Sequence, residues 1–237
     1  NLFDRRLHYM LFLAAYQVSS IVFTGQGKVG SENGVPRVPF QLSQRADFFE
    51  RLAGPQTTYN RPLVNSRDES LCGAGTGGGT AGREGDEAPA RLHVIFYDNT
   101  LCHVASLLKV GVMQIVLAMI EAEQVDTRLI LEDPLEALRR WSQDPTLRAR
   151  ARTCAGREQT AVELQLQFLE QARDFVAHGG VEGIVPRAAE ILALWEDTLT
   201  RLATREFGAL RPRLDWLLKL SILERAMRQR PVLQWTD

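Results

Sequence analysis

Between Arg91 and Asp98 the chain reads RLHVIFYD, and three of its side chains can do chemistry: Arg91, His93 and Asp98. On an extended strand, residues two apart point to the same face, so a guanidinium and an imidazole would stand side by side. A guanidinium suits phosphate oxygens, and a neutral imidazole ligates divalent metals. Asp98, with Asn99 and Thr100, forms a cap cluster at the following junction. Residue types alone leave two readings open: a ligand-facing pair, or a satisfied core histidine beside a surface arginine.

The elements that must position these residues are legible around them. Leu92, Val94 and Phe96 alternate with His93, Ile95 and Tyr97, the period of a strand with two different faces. The apolar run from Leu101 to Ile120 has the length of a buried helix. Upstream, Val38, Phe40 and Leu42 alternate with Gln41 and Ser43 and predict a strand leading into Gln44-Arg45-Ala46-Asp47. The polar string RPLVNSRDE, Arg61 to Glu69, is anchored by Leu63 and Val64 alone and suits the solvent face of a sheet or a catalytic channel.

The chain opens on an apolar helical pattern from Leu2 to Val22. Asp4, Arg5, Arg6, His8 and Gln17 interrupt it, and Gly25 and Gly27 end it, which predicts a buried core helix rather than a membrane span. From Asp133 onward the pattern is helical. Asp133 caps a helix with Pro134 at its first position, and Thr160 with Glu163 makes a capping box for a second. His178, Gly179 and Gly180 close that one. Pro186 opens another with Ile191, Leu192, Trp195, Leu199 and Leu202 inward, and Leu214, Leu217, Leu218 and Leu223 mark a last helix before Pro231. Trp195 and Trp216 are assigned to packing.

Composition excludes several classes. Lys+Arg 28 against Asp+Glu 29 gives a net charge of -1, without the basic excess that nucleic-acid binding uses. Arg148, Arg150 and Arg152 are read as a solvated helix end. Cys72, Cys102 and Cys154 have neither disulfide-framework nor zinc spacing, which fits a reducing cytoplasm. Residues 72–89, CGAGTGGGTAGREGDEAP, carry no phosphate-loop fingerprint and are read as a flexible glycine-rich loop. Neither GxSxG nor HExxH occurs.

The segments FQLSQRADFFE, QTTYNRPLVNSRDES, RLHVIFYDNTLCHVASLLKVG, DPTLRARARTCAGREQTAVELQLQFLEQARDFV and LDWLLKLSILER occur in this order. In that order they resemble the middle and later part of the enzymes that act on Pup, the prokaryotic ubiquitin-like protein. That family comprises the Pup ligase and the Pup deamidase/depupylase, and the stretch TAVELQLQFLEQARDFV is more similar to the depupylase branch.

The resemblance implies an α+β fold: part of a glutamine synthetase-like curved antiparallel sheet with packed helices, followed by a mainly helical region. Residues 1–128 would be a partial catalytic domain and 129–237 its helical continuation. It further implies ATP and magnesium as cofactors, with Arg91, His93, Arg67 and Arg45 facing the nucleotide and His93 as metal ligand. Pup and pupylated proteins are the implied partners, with neither nucleic acid nor membrane, in the cytoplasm.

The chain departs from the family pattern in places. Tyr97-Asp98 stands where the family has Gly-Asp, and Asp68-Glu69-Ser70-Leu71 stands where it reads Asp-Glu-Pro-His. The family's opening Gly-x-Glu-x-Glu-Tyr motif and catalytic aspartate would precede Asn1, and its small C-terminal domain would follow Asp237, which predicts a fragment. The implied activity is ATP- and magnesium-dependent hydrolysis of the amide or isopeptide bond at the Pup C-terminus. The alternatives are a Pup-protein ligase or a non-catalytic remnant that binds Pup or a partner.

Overall fold

A computed structural model describes residues 2–66 and 92–230, with side chains from Leu7 onward. The predicted loop 72–89, Cys72, Arg67 and Arg91 lie outside the described residues.

The core is built around helix α1, Leu2–Thr24. Phe12, Tyr16, Ile21, Val22 and Phe23 are buried, and so are Gln17, Ser19, Ser20 and Thr24. The hydroxyls are satisfied by the helix itself: Ser19 Oγ donates to the Ala15 carbonyl at 2.6 Å and Thr24 Oγ1 to that of Ser20 at 3.0 Å. A helix buried on every side needs no polar face, which explains its apolar composition. Two described helices are long and apolar enough to cross a membrane, α1 among them, and 72% of the relevant α1 window is buried within the protein.

Gly25 and Gly27 then turn the chain. Gly27 has a φ of 78°, and its N–H donates to the Leu42 carbonyl at 2.7 Å. The sheet structure is slight. β1 (Lys28–Val29) pairs antiparallel with β2 (Phe40–Gln41), and β3 (Phe49–Gly54) pairs parallel with β4 (Arg61–Asn65). β5 (Ala151–Arg152) and β6 (Glu158–Gln159) form a third, antiparallel pair. Among the described residues there are thus three separate two-stranded ladders, one of them parallel, rather than one curved antiparallel sheet.

The strand predicted over 92–97 is the main correction. Only His93 pairs, as an isolated antiparallel bridge to Asn65. Its Ile95 carbonyl is claimed instead by a side chain, accepting from Arg45 Nη1 at 2.6 Å, and the carbonyl of Asp98 just after it accepts from Lys109 Nζ at 3.1 Å. The alternation fails with it. Phe96 is buried and stacks on Phe49 at 5.0 Å, while the neighbouring Tyr97 packs edge-on to Phe96 with its hydroxyl beside Ser20 and Tyr16 of α1. Tyr97 therefore turns into the core.

The helices follow the sequence closely. α2 spans His103–Glu121 and α3 Pro134–Ser142; Asp133 Oδ1 caps α3 from the N–H groups of Leu135 and Glu136. α4 (Ala161–Ala177) begins with the Thr160/Glu163 capping box and ends at His178. α5 (Ala188–Ala203), the short α6 (Phe207–Leu210) and α7 (Asp215–Gln229) complete the chain. Trp195 lies edge-on to Tyr16 and Phe23, and Trp216 Nε1 donates to the Val22 carbonyl at 2.8 Å, so both tryptophans are core. Arg148, Arg150 and Arg152 lie on the loop and strand after α3, not on a helix end. Arg150 pairs there with Glu163, and Arg152 with Glu132.

Candidate functional site

The side chains suited to binding gather where the turn after α1, the loop after β2, the segment 92–100 and the first turns of α2 and α7 meet. Asp98 is at the centre and is 5% exposed. Its carboxylate accepts the N–H of Gln26 at 3.0 Å, the N–H of Gln44 at 2.9 Å and the Ser43 hydroxyl at 3.2 Å. Burial raises its pKa, and these three bonds, with the nearby positive charge of Arg45, only partly oppose that. Asp98 thus holds three chain segments together rather than capping a helix.

The cap of α2 comes from far away in sequence. Asp215 Oδ1 accepts the N–H of Leu101 at 2.7 Å, and Oδ2 that of Cys102 at 3.2 Å. The Cys102 thiol is pushed up to about 11 by burial and by the charge of Asp215, which makes it a poor nucleophile.

Four cations stand around the two carboxylates and the neighbouring strand. Arg45 is held by the Ile95 carbonyl, and Arg61 at the start of β4 donates to the Thr57 carbonyl at 3.1 Å. Burial lowers the Arg61 pKa and the charge of Arg45 lowers it further, so the two guanidinium groups sense each other. Lys109 is held by the Asp98 carbonyl, and Lys219 of α7 donates to the Gly27 carbonyl at 2.6 Å. Burial lowers both lysine pKa values, against the attraction of Asp98 and Asp215. Partly dehydrated cations of this kind, bonded to neutral carbonyls, suit oxygens that carry negative charge.

Of the residues predicted from sequence, His93 and Arg45 belong to this region through Asn65 and Ile95 respectively. Arg67 and Arg91 lie outside the described residues. Among the described residues, no three His, Cys, Asp or Glu side chains stand together as a metal site. The described cations fit the phosphates of a nucleotide; the described residues do not assemble a magnesium site around His93. Lys109, Lys219, Arg61 and Asp215 were missed. A lone lysine inside an apolar helical run, as in Leu107-Leu108-Lys109-Val110 and Leu217-Leu218-Lys219-Leu220, is the signal that marks two of them.

Comparison with known proteins identifies the class to which this fold belongs. The structure superposes on that of the Pup ligase PafA in complex with ADP with a TM-score of 0.71 at 23% identity, covering 95% of this chain and 47% of that one. It superposes on PafA in the complex with Pup with a TM-score of 0.72 at 23% identity, covering 95% of this chain and 43% of that one. The α+β fold is therefore the one found in Pup ligase structures.

The family model described as Pup-ligase protein matches residues 5–237, and the chain belongs to that family. It is 42% identical over 224 residues to a depupylase of Acidothermus cellulolyticus, covering 94% of this chain and 42% of that protein. It is 35% identical over 216 residues to a Pup–protein ligase of Kineococcus radiotolerans, covering 91% of this chain and 44% of that protein. The chain thus spans under half the length of these relatives.

Proposed function

We propose that this chain is part of an ATP- and magnesium-dependent hydrolase that cleaves the amide or isopeptide bond at the C-terminus of Pup, in the cytoplasm. The observation that carries the reading is the higher identity to a depupylase, 42%, than to Pup–protein ligases, 33–35%. The cationic rim supports a phosphate-bearing cofactor, in line with the ADP of a matched ligase structure.

In this reading the described residues bind and orient rather than react. Arg45 and Arg61 present guanidinium donors to phosphate oxygens, with Arg67, Arg91 and His93 completing the nucleotide side. Magnesium, when bound with the nucleotide, would neutralise phosphate charge, and the described residues show no set of ligands for it around His93. Lys109 and Lys219 keep the floor of the site positive while Asp98 and Asp215 fix its backbone.

The alternative is a Pup–protein ligase, favoured by the names of both matched structures. The complete gene product, given ATP and a Pup conjugate, should release free Pup. Formation of new conjugates from Pup and a substrate protein, with no release, would establish the ligase instead. A non-catalytic remnant that binds Pup or a partner predicts neither reaction and no nucleotide binding, so tight nucleotide binding excludes it.

A further inference from the structure

Arg45 is gripped at both ends by one short segment. Its guanidinium Nη1 donates to the Ile95 carbonyl at 2.6 Å. Its backbone N–H donates to Ser43 Oγ at 3.1 Å, and the Ser43 hydroxyl in turn donates to Asp98 Oδ1 at 3.2 Å. Asp98 Oδ2 also takes the N–H of Gln44, the residue between them, at 2.9 Å. Ser43 is 4% exposed and Asp98 5%, so water competes poorly for these bonds. A guanidinium has five N–H donors, and the bond to Ile95 engages one of them, leaving a fork aimed from a fixed base.

We propose that Asp98, acting through Ser43, is the positioning residue that sets where the Arg45 guanidinium meets its anionic ligand. This rests on the reading of Arg45 as a phosphate contact. Asp98 itself touches no ligand; its carboxylate is filled by donors from the chain. Removing the Ser43 hydroxyl breaks the relay while leaving the two backbone bonds to Asp98 in place.

The test uses the complete gene product, ADP titration, and the Arg45 guanidinium Nη–H resonance in a selectively arginine-labelled sample. Ser43→Ala should weaken ADP binding by about five- to tenfold, the effect of one hydrogen bond's worth of misalignment. Asp98→Ala should weaken it at least as much. Adding Ser43→Ala to Arg45→Ala should cost nothing further, because both remove the same contact. The Arg45 Nη–H bonded to the Ile95 carbonyl should exchange slowly with solvent in the parent and faster in Ser43→Ala.

Should Asp98→Ala fail to fold, Ser43→Ala and the double variant decide the matter alone. Parent-like ADP affinity in Ser43→Ala with a clear loss in Arg45→Ala overturns the proposal, and so do additive effects in the double variant. If Arg45→Ala leaves ADP affinity untouched, the phosphate-contact reading falls. The exchange rate of the Nη–H then still judges the positioning: a rate unchanged by Ser43→Ala overturns it, and a faster rate upholds it.

Discussion

Asp215 Oδ1 accepts the N–H of Leu101 at 2.7 Å across 114 residues, so the first turn of α7 supplies the cap that the sequence before α2 lacks. Cys102, the residue at the N-cap position, makes no side-chain cap bond of its own. Asp215→Ala should destabilise the protein by about 1–3 kcal/mol, because two N–H groups in a buried corner lose their acceptor. Urea unfolding checks this, and a midpoint equal to the parent's would show that water replaces the carboxylate.

That cap also shows what the sequence could and could not disclose. Asp133-Pro134 and Thr160/Glu163 announce α3 and α4 because the capping residue is local, within three positions of the N–H it serves. Burial of Trp195, Leu199 and Leu202 follows from helical spacing. The segment 92–97 has strand periodicity yet makes one bridge, and Arg45 takes the Ile95 carbonyl that a neighbouring strand would have used. His93 and Asp98 were visible as polar types at a junction, and Arg45 only through the family resemblance. Asp215 was not, since only tertiary packing of α7 brings it to the start of α2.

Gly27 is the tightest point of that packing. A Cβ there would stand 2.8 Å from Phe40 Cζ and 3.1 Å from Trp216 Cα, on a backbone with φ of 78°. Gly27→Ala should therefore cost about 1–3 kcal/mol through crowding and left-handed strain. Thermal melting reads this out, and an unchanged midpoint would mean that the Trp216 backbone yields freely.

Asp144 sets a pH dependence. It accepts the N–H groups of Thr146, Arg148 and Ala149 at 2.9, 2.7 and 2.6 Å and the Thr146 hydroxyl at 2.6 Å. Burial would raise its pKa, but these bonds outweigh burial and hold it below the ordinary carboxylate value. Because the folded pKa is the lower one, the stabilisation is present above the unfolded value and is lost as pH falls through the folded value. Asp144→Ala should cost about 1–3 kcal/mol near neutral pH. The gap between variant and parent should close from about pH 5 downward in urea unfolding; a constant gap would refute the assignment.

His93 separates a site role from a packing role. In the complete gene product, His93→Ala should lower affinity for the magnesium nucleotide while the melting temperature stays within about 4 °C of the parent's. Failure to fold would instead assign His93 to packing between Asn65 and the 92–97 segment.

The most direct measurement is calorimetric titration of ADP with magnesium into the complete gene product and into its Arg45→Ala variant. The cationic rim at Arg45 and Arg61, beside His93, as the nucleotide site predicts saturable binding by the parent and affinity at least about tenfold weaker in the variant, the scale of a lost charge-assisted hydrogen bond. Equal affinity in the two proteins, or no binding by the parent, would contradict it.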